Sequence, residues 1–259
     1  MRIVLKYLQV ALKTTFLFTL LTSLFFLSGC NSKKKDIYKC MSAEEIYELG
    51  QNHMTKGKYG DAIKDFEALE SRYPYGEKSS NAQLALITAY YKRSEYALAL
   101  STVDRFIRMN PRHPDVDYAH YLKGMVSFDQ NTTLLYRHLP IDRSLRDSTP
   151  AHQSFAAFKE LVELYPNSKY APEARQRMVA LRDQLANHEL AAVQYYMKRG
   201  AYLSAANRAN YIVQNYNQSQ AVPQALCSMV ISYKKLGMEQ LSADAENVLK
   251  TNFPNHPIK

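Results

Sequence analysis

Residues 54–74 read MTKGKYGDAIKDFEALESRYP, and their spacing decides the fold. Tyr59, Ala62, Ile63, Phe66 and Leu69 fall at i, i+3, i+4, i+7 and i+10, which is one face of an α-helix. Gly57 stands just before that helix, where a left-handed residue closes a preceding one, and Pro74 stands just after it, where no helix continues. The stretch predicts a helix, a tight turn, a second helix and a stop. The same frame returns as Tyr96, Ala99, Val103, Phe106, Pro111; as Phe158, Leu161, Tyr165, Pro166; as Gly200, Tyr202, Ala205, Ala209, Ile212; and as Gly237, Ser242, Leu249, Pro254. A repeat sets this fold.

Ala62 to Pro74 and Ala99 to Pro111 are each 12 residues apart, and Pro74 to Pro111 is 37. That is close to the roughly 34-residue tetratricopeptide period with a slightly longer connection. Leu49 and Gly50 occupy the Leu-Gly slots of that pattern. Small residues such as Gly50, Ala62 and Ala99 let two helices approach, and Phe66 or Phe106 fills the gap between neighbouring hairpins. Strand-like alternation is missing from the sequence, so the expected class is all-α: a solenoid of about five helical hairpins.

The first part of the chain reads as an address. Arg2, Lys6 and Lys13 precede an apolar run from Thr14 to Leu27, too short to span a bilayer comfortably, so residues 1–29 are expected to be an export signal. The run ends in Leu27-Ser28-Gly29-Cys30, which resembles the lipobox of bacterial lipoproteins. That resemblance implies cleavage before Cys30, an S-diacylglycerol and an N-acyl chain on Cys30, and therefore stable anchoring by more than one acyl chain. Asn31 stands where Asp commonly holds such lipoproteins at the inner membrane, which favours outer-membrane delivery.

The net charge of +9 invites a nucleic-acid reading, yet the only basic run, Lys33 to Lys35, falls in the polar tether expected over residues 30–42. Nucleic acid is therefore not expected as a partner. Cys40 and Cys227 lie at opposite ends of the exported chain and are expected to be free thiols rather than a disulfide.

Ser42 with Glu45 has the form of a capping box and starts the first helix at about Ala43 of a solenoid spanning residues 43–259. The N-terminal repeats occupy residues 43–111. In the third repeat the first helix carries Tyr118, Tyr121, Leu122 and Met125, and the second is expected only over His152 to Tyr165. The intervening residues 129–150 hold two prolines and no sustained period, the mark of an insertion, and insertions in solenoids often project from a binding face. Residues 151–259 make the C-terminal repeats. Ala171 to Arg199 has no glycine and no proline beyond Pro172, so it is one long helix or two stacked ones.

Catalytic signatures are missing from the sequence: no H-E-x-x-H, C-x-x-C, G-x-S-x-G, Walker or G-x-G-x-x-G string occurs, and the seven histidines are scattered. No enzymatic activity, metal, cofactor or small-molecule substrate is expected. Recognition remains. Twenty tyrosines and no tryptophan place amphipathic rings where a superhelix lines its inner wall. Arg72, Tyr73 and Tyr75 with Tyr90, Tyr91 and Lys92 form a candidate seat for an extended peptide ending in an aromatic residue and a carboxylate; Tyr73 and Tyr90 serve equally well as repeat core. Arg199 and Arg208 flank the Gly200 turn and either converge on an acidic partner or stand as a solvated pair.

Longer strings carry a family resemblance. Arg72-Tyr73-Pro74-Tyr75-Gly76, Ala89-Tyr90-Tyr91-Lys92, Asp104-Arg105-Phe106-Ile107-Arg108, Asp117-Tyr118 with Lys123-Gly124, Asp142-Arg143-Ser144 with Arg146-Asp147, and Tyr165-Pro166-Asn167-Ser168 together resemble the BamD (ComL) family. These are tetratricopeptide lipoproteins of the outer-membrane β-barrel assembly machinery. The resemblance implies a non-enzymatic scaffold that holds the periplasmic domains of BamA, docks accessory lipoproteins of the complex and receives unfolded β-barrel precursors. It further implies that Arg199 and Arg208 face BamA and that the N-terminal repeats receive precursors. Tyr202 stands where the family often has Trp, Asn217 replaces its usual proline, and Ser148-Thr149-Pro150 alters the end of its insertion motif. The reading that competes with this one is a lipid-anchored adaptor for a cell-wall enzyme or for pilus or secretin assembly.

Overall fold

The computed structural model describes residues 36–130 and 147–258. The export signal, residues 30–35 of the tether with Cys30 among them, and residues 131–146 of the expected insertion lie outside the described residues. From Met41 onward the chain forms one unit, in which ten helices are described: α1 (Ala43–Thr55), α2 (Tyr59–Arg72), α3 (Glu77–Lys92), α4 (Tyr96–Met109), α5 (Val116–Gln130), α6 (Thr149–Leu164), α7 (Ala171–Lys198), α8 (Tyr202–Asn215), α9 (Val222–Lys235) and α10 (Glu239–Asn252). They pair in order into five antiparallel hairpins, each packed on the next.

The predicted capping box is present: the Ser42 hydroxyl accepts from the Glu45 amide at 3.3 Å, and the Glu45 carboxylate accepts from the Ser42 amide at 2.7 Å. Four hairpin turns share one geometry. Gly57, Ser94, Gly200 and Gly237 sit at φ 69, 62, 70 and 71°, and the next amide reaches back to a carbonyl five residues earlier, as in Lys58 N–H to His53 O and Ala201 N–H to Tyr196 O. Ser94 is the one residue of the set that carries a side chain in this left-handed region.

Four of the five second helices bury the same frame. Ala62, Phe66 and Leu69 in α2 recur as Ala99, Val103 and Phe106 in α4, as Ser154, Phe158 and Leu161 in α6, and as Ala205, Ala209 and Ile212 in α8. Opposite the middle slot the first helix adjusts its volume. Gly50 faces Phe66 and Gly124 faces Phe158 so closely that an added Cβ would stand 2.4 Å from the ring, whereas Ile87 shares a core with the smaller Val103 and Val193 with Ala209.

Two boundaries differ from the sequence reading. The insertion expected over residues 129–150 is narrower, because α5 continues to Gln130 and α6 already starts at Thr149. Pro150 is the reason: read as a breaker, it occupies the first turn of α6, where a missing N–H leaves nothing unsatisfied. Residues 171–198 form one continuous helix, which settles the open alternative. Both predicted thiols are free, Cys40 exposed and Cys227 buried.

Candidate binding surface

The first helices of successive hairpins touch along the stack, α1 on α3, α3 on α5 and α7 on α9, while no comparable backbone contact joins one second helix to the next among the described residues. A stack whose one layer is in contact and whose other layer is splayed curves toward the contacting layer, so the first helices line the concave side. The α3–α5–α7 part of that wall is aromatic. The Tyr121 ring stacks on Tyr170 with centroids 4.7 Å apart, and Tyr118 lies 5.2 Å from Tyr170. The Lys169 ammonium sits 5.0 Å from the Tyr170 centroid and the Arg177 guanidinium 5.0 Å from that of Phe128.

Hydroxyls on this wall are committed to carboxylates of neighbouring hairpins. Tyr91 donates to Asp129, and Tyr121 donates to Glu173 at 2.8 Å. Ser168 donates to Asp117 at 2.6 Å. Burial, then the bond to Glu173, pushes the Tyr121 phenol up to about 12, and burial with the bond to Asp129 raises Tyr91 still further. Glu173 is held below the usual range by Arg177, 2.7 Å away, and by Tyr121. The rings stack on one another and on the core and stay half-buried, so only their partly exposed remainder is open to a visiting chain.

The residues expected to seat a peptide fall into two groups rather than one. Arg72 ends α2, Tyr73 donates its hydroxyl to Met41 O at 2.9 Å, and Tyr75 is 86% exposed on the loop to α3. Tyr90, Tyr91 and Lys92 close the far end of α3, about 22 Å away along its axis. Tyr90 is only 6% exposed, and its hydroxyl ties α3 to Glu67 of α2 at 2.5 Å, so of its two sequence readings the core one holds. Tyr91 is half-buried against Tyr96, with the Lys92 ammonium 6.0 Å from its ring. A peptide touching both groups spans about seven extended residues.

Arg199 and Arg208 are not a pair with each other in their contacts. Arg199 caps α7 with its guanidinium 4.7 Å from the Tyr195 ring, four residues back on the same helix face. Arg208 lies midway along α8 and bonds Glu189 of α7 at 2.9 Å. Both reach the surface, Arg208 at 51% side-chain exposure. The sequence reading named Tyr118 and Tyr121 only as helix positions and did not single out Tyr170. Their i, i+3 spacing on a first helix, the layer that also holds Tyr90 and Tyr91, was the available signal. Among the described residues no group of three or more His, Cys, Asp or Glu is placed to hold a metal, and no helix is long and apolar enough to cross a membrane.

Comparison with known proteins adds a lineage. The YfiO family, described as outer membrane lipoprotein, matches residues 39–249. An outer membrane protein assembly factor BamD from Neisseria meningitidis serogroup A is 42% identical over 230 residues, covering 89% of this chain and 86% of its own length. The BamD of Vibrio cholerae is 35% identical, covering 90% and 96% of the two chains. Among solved structures, a thermophilic TPR protein from Thermus thermophilus matches 83% of this chain and 93% of its own at 14% identity and a TM-score of 0.38, a likeness too distant to add to the hairpin stack described above.

Proposed function

The chain belongs to the BamD family of outer membrane protein assembly factors, and from that premise we propose that it is a lipid-anchored scaffold on the periplasmic side of the outer membrane, coupling capture of unfolded β-barrel precursors to BamA. The protein is not an enzyme. Cys30 carries the diacylglycerol and the N-acyl chain. Arg199 and Arg208 face the periplasmic domains of BamA, accessory lipoproteins dock elsewhere on the stack, and precursors run along α3 from the loop group Arg72, Tyr73 and Tyr75 to Tyr91 and Lys92, with Tyr90 holding α3 in the core.

The observation that carries this reading is the first-helix wall of half-buried rings, whose hydroxyls are spent on Asp129 and Glu173 and whose partly exposed ring surface is what remains to pack on a partner backbone. Such a surface takes extended apolar-aromatic chains without demanding one sequence, which is what a shared assembly factor requires.

Arg208 also has an internal duty, so its test needs a control. Affinity purification from detergent-solubilised outer membrane is expected to recover a barrel-sized partner with the wild-type chain, and to lose it with Arg199→Glu and with Arg208→Glu. The charge-swapped pair Glu189→Arg with Arg208→Glu restores the internal bond, and recovery should still fail. Full recovery with both single variants refutes the arginine contact; a cell-wall enzyme or a secretin in place of the barrel favours the adaptor reading.

A further inference from the structure

We propose that the edge formed by the inter-hairpin loops of hairpins one to three lies flat against the lipid surface. The inference rests on lipid attachment at Cys30 and adds to it a direction: of the proposed precursor seat, it puts the Arg72, Tyr73 and Tyr75 end at the lipid boundary and leaves Tyr91 and Lys92, at the other end of α3, away from it.

The chain enters the stack at one particular edge. First helices run from the inter-hairpin loops to the hairpin turns and second helices return, so α1 begins on the loop side. The Tyr73 hydroxyl bonded to Met41 O at 2.9 Å fixes the entry point beside the loop between α2 and α3. Met41 lies eleven positions after Cys30, and a chain of that length reaches at most about 40 Å. Neighbouring helices pack about 8–10 Å apart, so the anchor lies nearest the loop edge of the first hairpins.

The first three hairpins are the ones with apolar loop tips. Tyr75 is 86% exposed, Met109 57% and Leu164 58%. Met109 and Leu164 are the last residues of their second helices, and the same slot in the last two hairpins holds Asn215 and Asn252. Each of those amides turns back to cap its own helix, on Tyr211 O at 3.0 Å and Val248 O at 2.9 Å. The loop after α8 continues as Asn217, Gln218, Ser219 and Gln220. Apolar tips thus belong to the three hairpins at the end of the stack where the chain enters.

Between the second and third loops an open groove of about 520 Å³ has Pro111, Pro114 and Pro166 on its walls and Arg112 at its rim. Exposed Arg108, Arg112 and Lys169 stand beside the tips, the arrangement of apolar group and cation that suits a headgroup boundary. Charge alone does not choose the edge, since the hairpin turns also carry cations, Lys198, Arg199, Lys234 and Lys235 among them. The entry point and the graded tips do.

The chain has no tryptophan, so one introduced residue is a unique reporter. Tyr75→Trp, Met109→Trp and Leu164→Trp are made in the full acylated chain, with Leu203→Trp, 53% exposed beside the α7–α8 turn, as the opposite-edge control. Each is reconstituted on phosphatidylethanolamine and phosphatidylglycerol vesicles containing brominated acyl chains. The expected result is flotation with the vesicles and at least twofold stronger quenching at the three loop-edge positions than at the control. Flotation with equal quenching, or with stronger quenching at residue 203, overturns the orientation and leaves the anchor standing. Failure to float overturns the anchor and the orientation together.

Discussion

Replacing Gly124 by alanine is expected to destabilise the third hairpin, although alanine is the better helix former. The new Cβ would stand 2.4 Å from Phe158 Cε1 and 2.5 Å from Cδ1, where carbon atoms normally keep about 3.5–4.0 Å. The ring is fully buried, and the Gly124 carbonyl is tied to α6 by the Ser154 hydroxyl at 2.9 Å, so neither partner can yield freely. Overpacking of this kind costs about 1–3 kcal/mol, against a helix-propensity gain of about 1 kcal/mol. At the middle of that range the net loss is about 1 kcal/mol, which lowers the melting temperature by about 2–4 °C in a chain of this size. Ile87 and Val103 show the alternative division of the same volume. Phe158→Val should therefore absorb the added methyl, and the double variant should be more stable than the sum of the two single effects by about 1 kcal/mol or more. Thermal unfolding followed by circular dichroism measures all three. A Gly124→Ala protein as stable as the wild type, or strictly additive effects, would refute the volume exchange.

Ser94→Gly should raise stability by about 0.5–1 kcal/mol, since it relieves a left-handed φ of 62° and loses only part of the gain to chain entropy; an unchanged melt counts against the strain. Burial holds the His120 imidazole below its ordinary value against the opposing pull of Glu160, 3.6 Å away, with Asp117 and Lys123 the other charges facing it. The folded form resists a proton that the unfolded chain accepts near pH 6.5, so stability should fall as pH drops below about 6.5, and His120→Gln should flatten that fall in melts taken between about pH 7 and 5. Tyr121→Phe removes the donor to Glu173 and should cost about 1 kcal/mol, seen as a lower midpoint in urea; no change would mean that Arg177 alone satisfies the carboxylate.

Helix order and pairing are legible in the sequence because the residues that fix them act locally. Ala62, Phe66 and Leu69 declare a helix face by spacing alone, and Gly57, Gly200 and Gly237 mark turns that need a positive φ. Ser94 takes the same conformation without the glycine that would have advertised it, and Pro150 misleads because a proline looks alike at a helix start and in a loop. The binding wall is legible in kind and not in place. A surplus of tyrosine announces ring surfaces, but Tyr91 with Asp129, Tyr121 with Glu173 and Arg208 with Glu189 join residues 38, 52 and 19 positions apart, and only the stacking of hairpins brings such positions together.

A repeat divides its positions into those that packing dictates and those it leaves free. Ala62, Ala99, Ser154 and Ala205 hold one slot, and all are small because two helices cross there. The last residue of each second helix, Arg72, Met109, Leu164, Asn215 and Asn252, is exposed, and its chemistry runs from cation through apolar to helix-capping amide along the stack. Selection on packing cannot produce that gradient, because every one of the five positions is exposed. The two amides are accounted for by the caps they make, whereas no cap or core contact calls for the exposed Met109 and Leu164, which makes these apolar tips, and not the shared core, the place where the two ends of this protein differ.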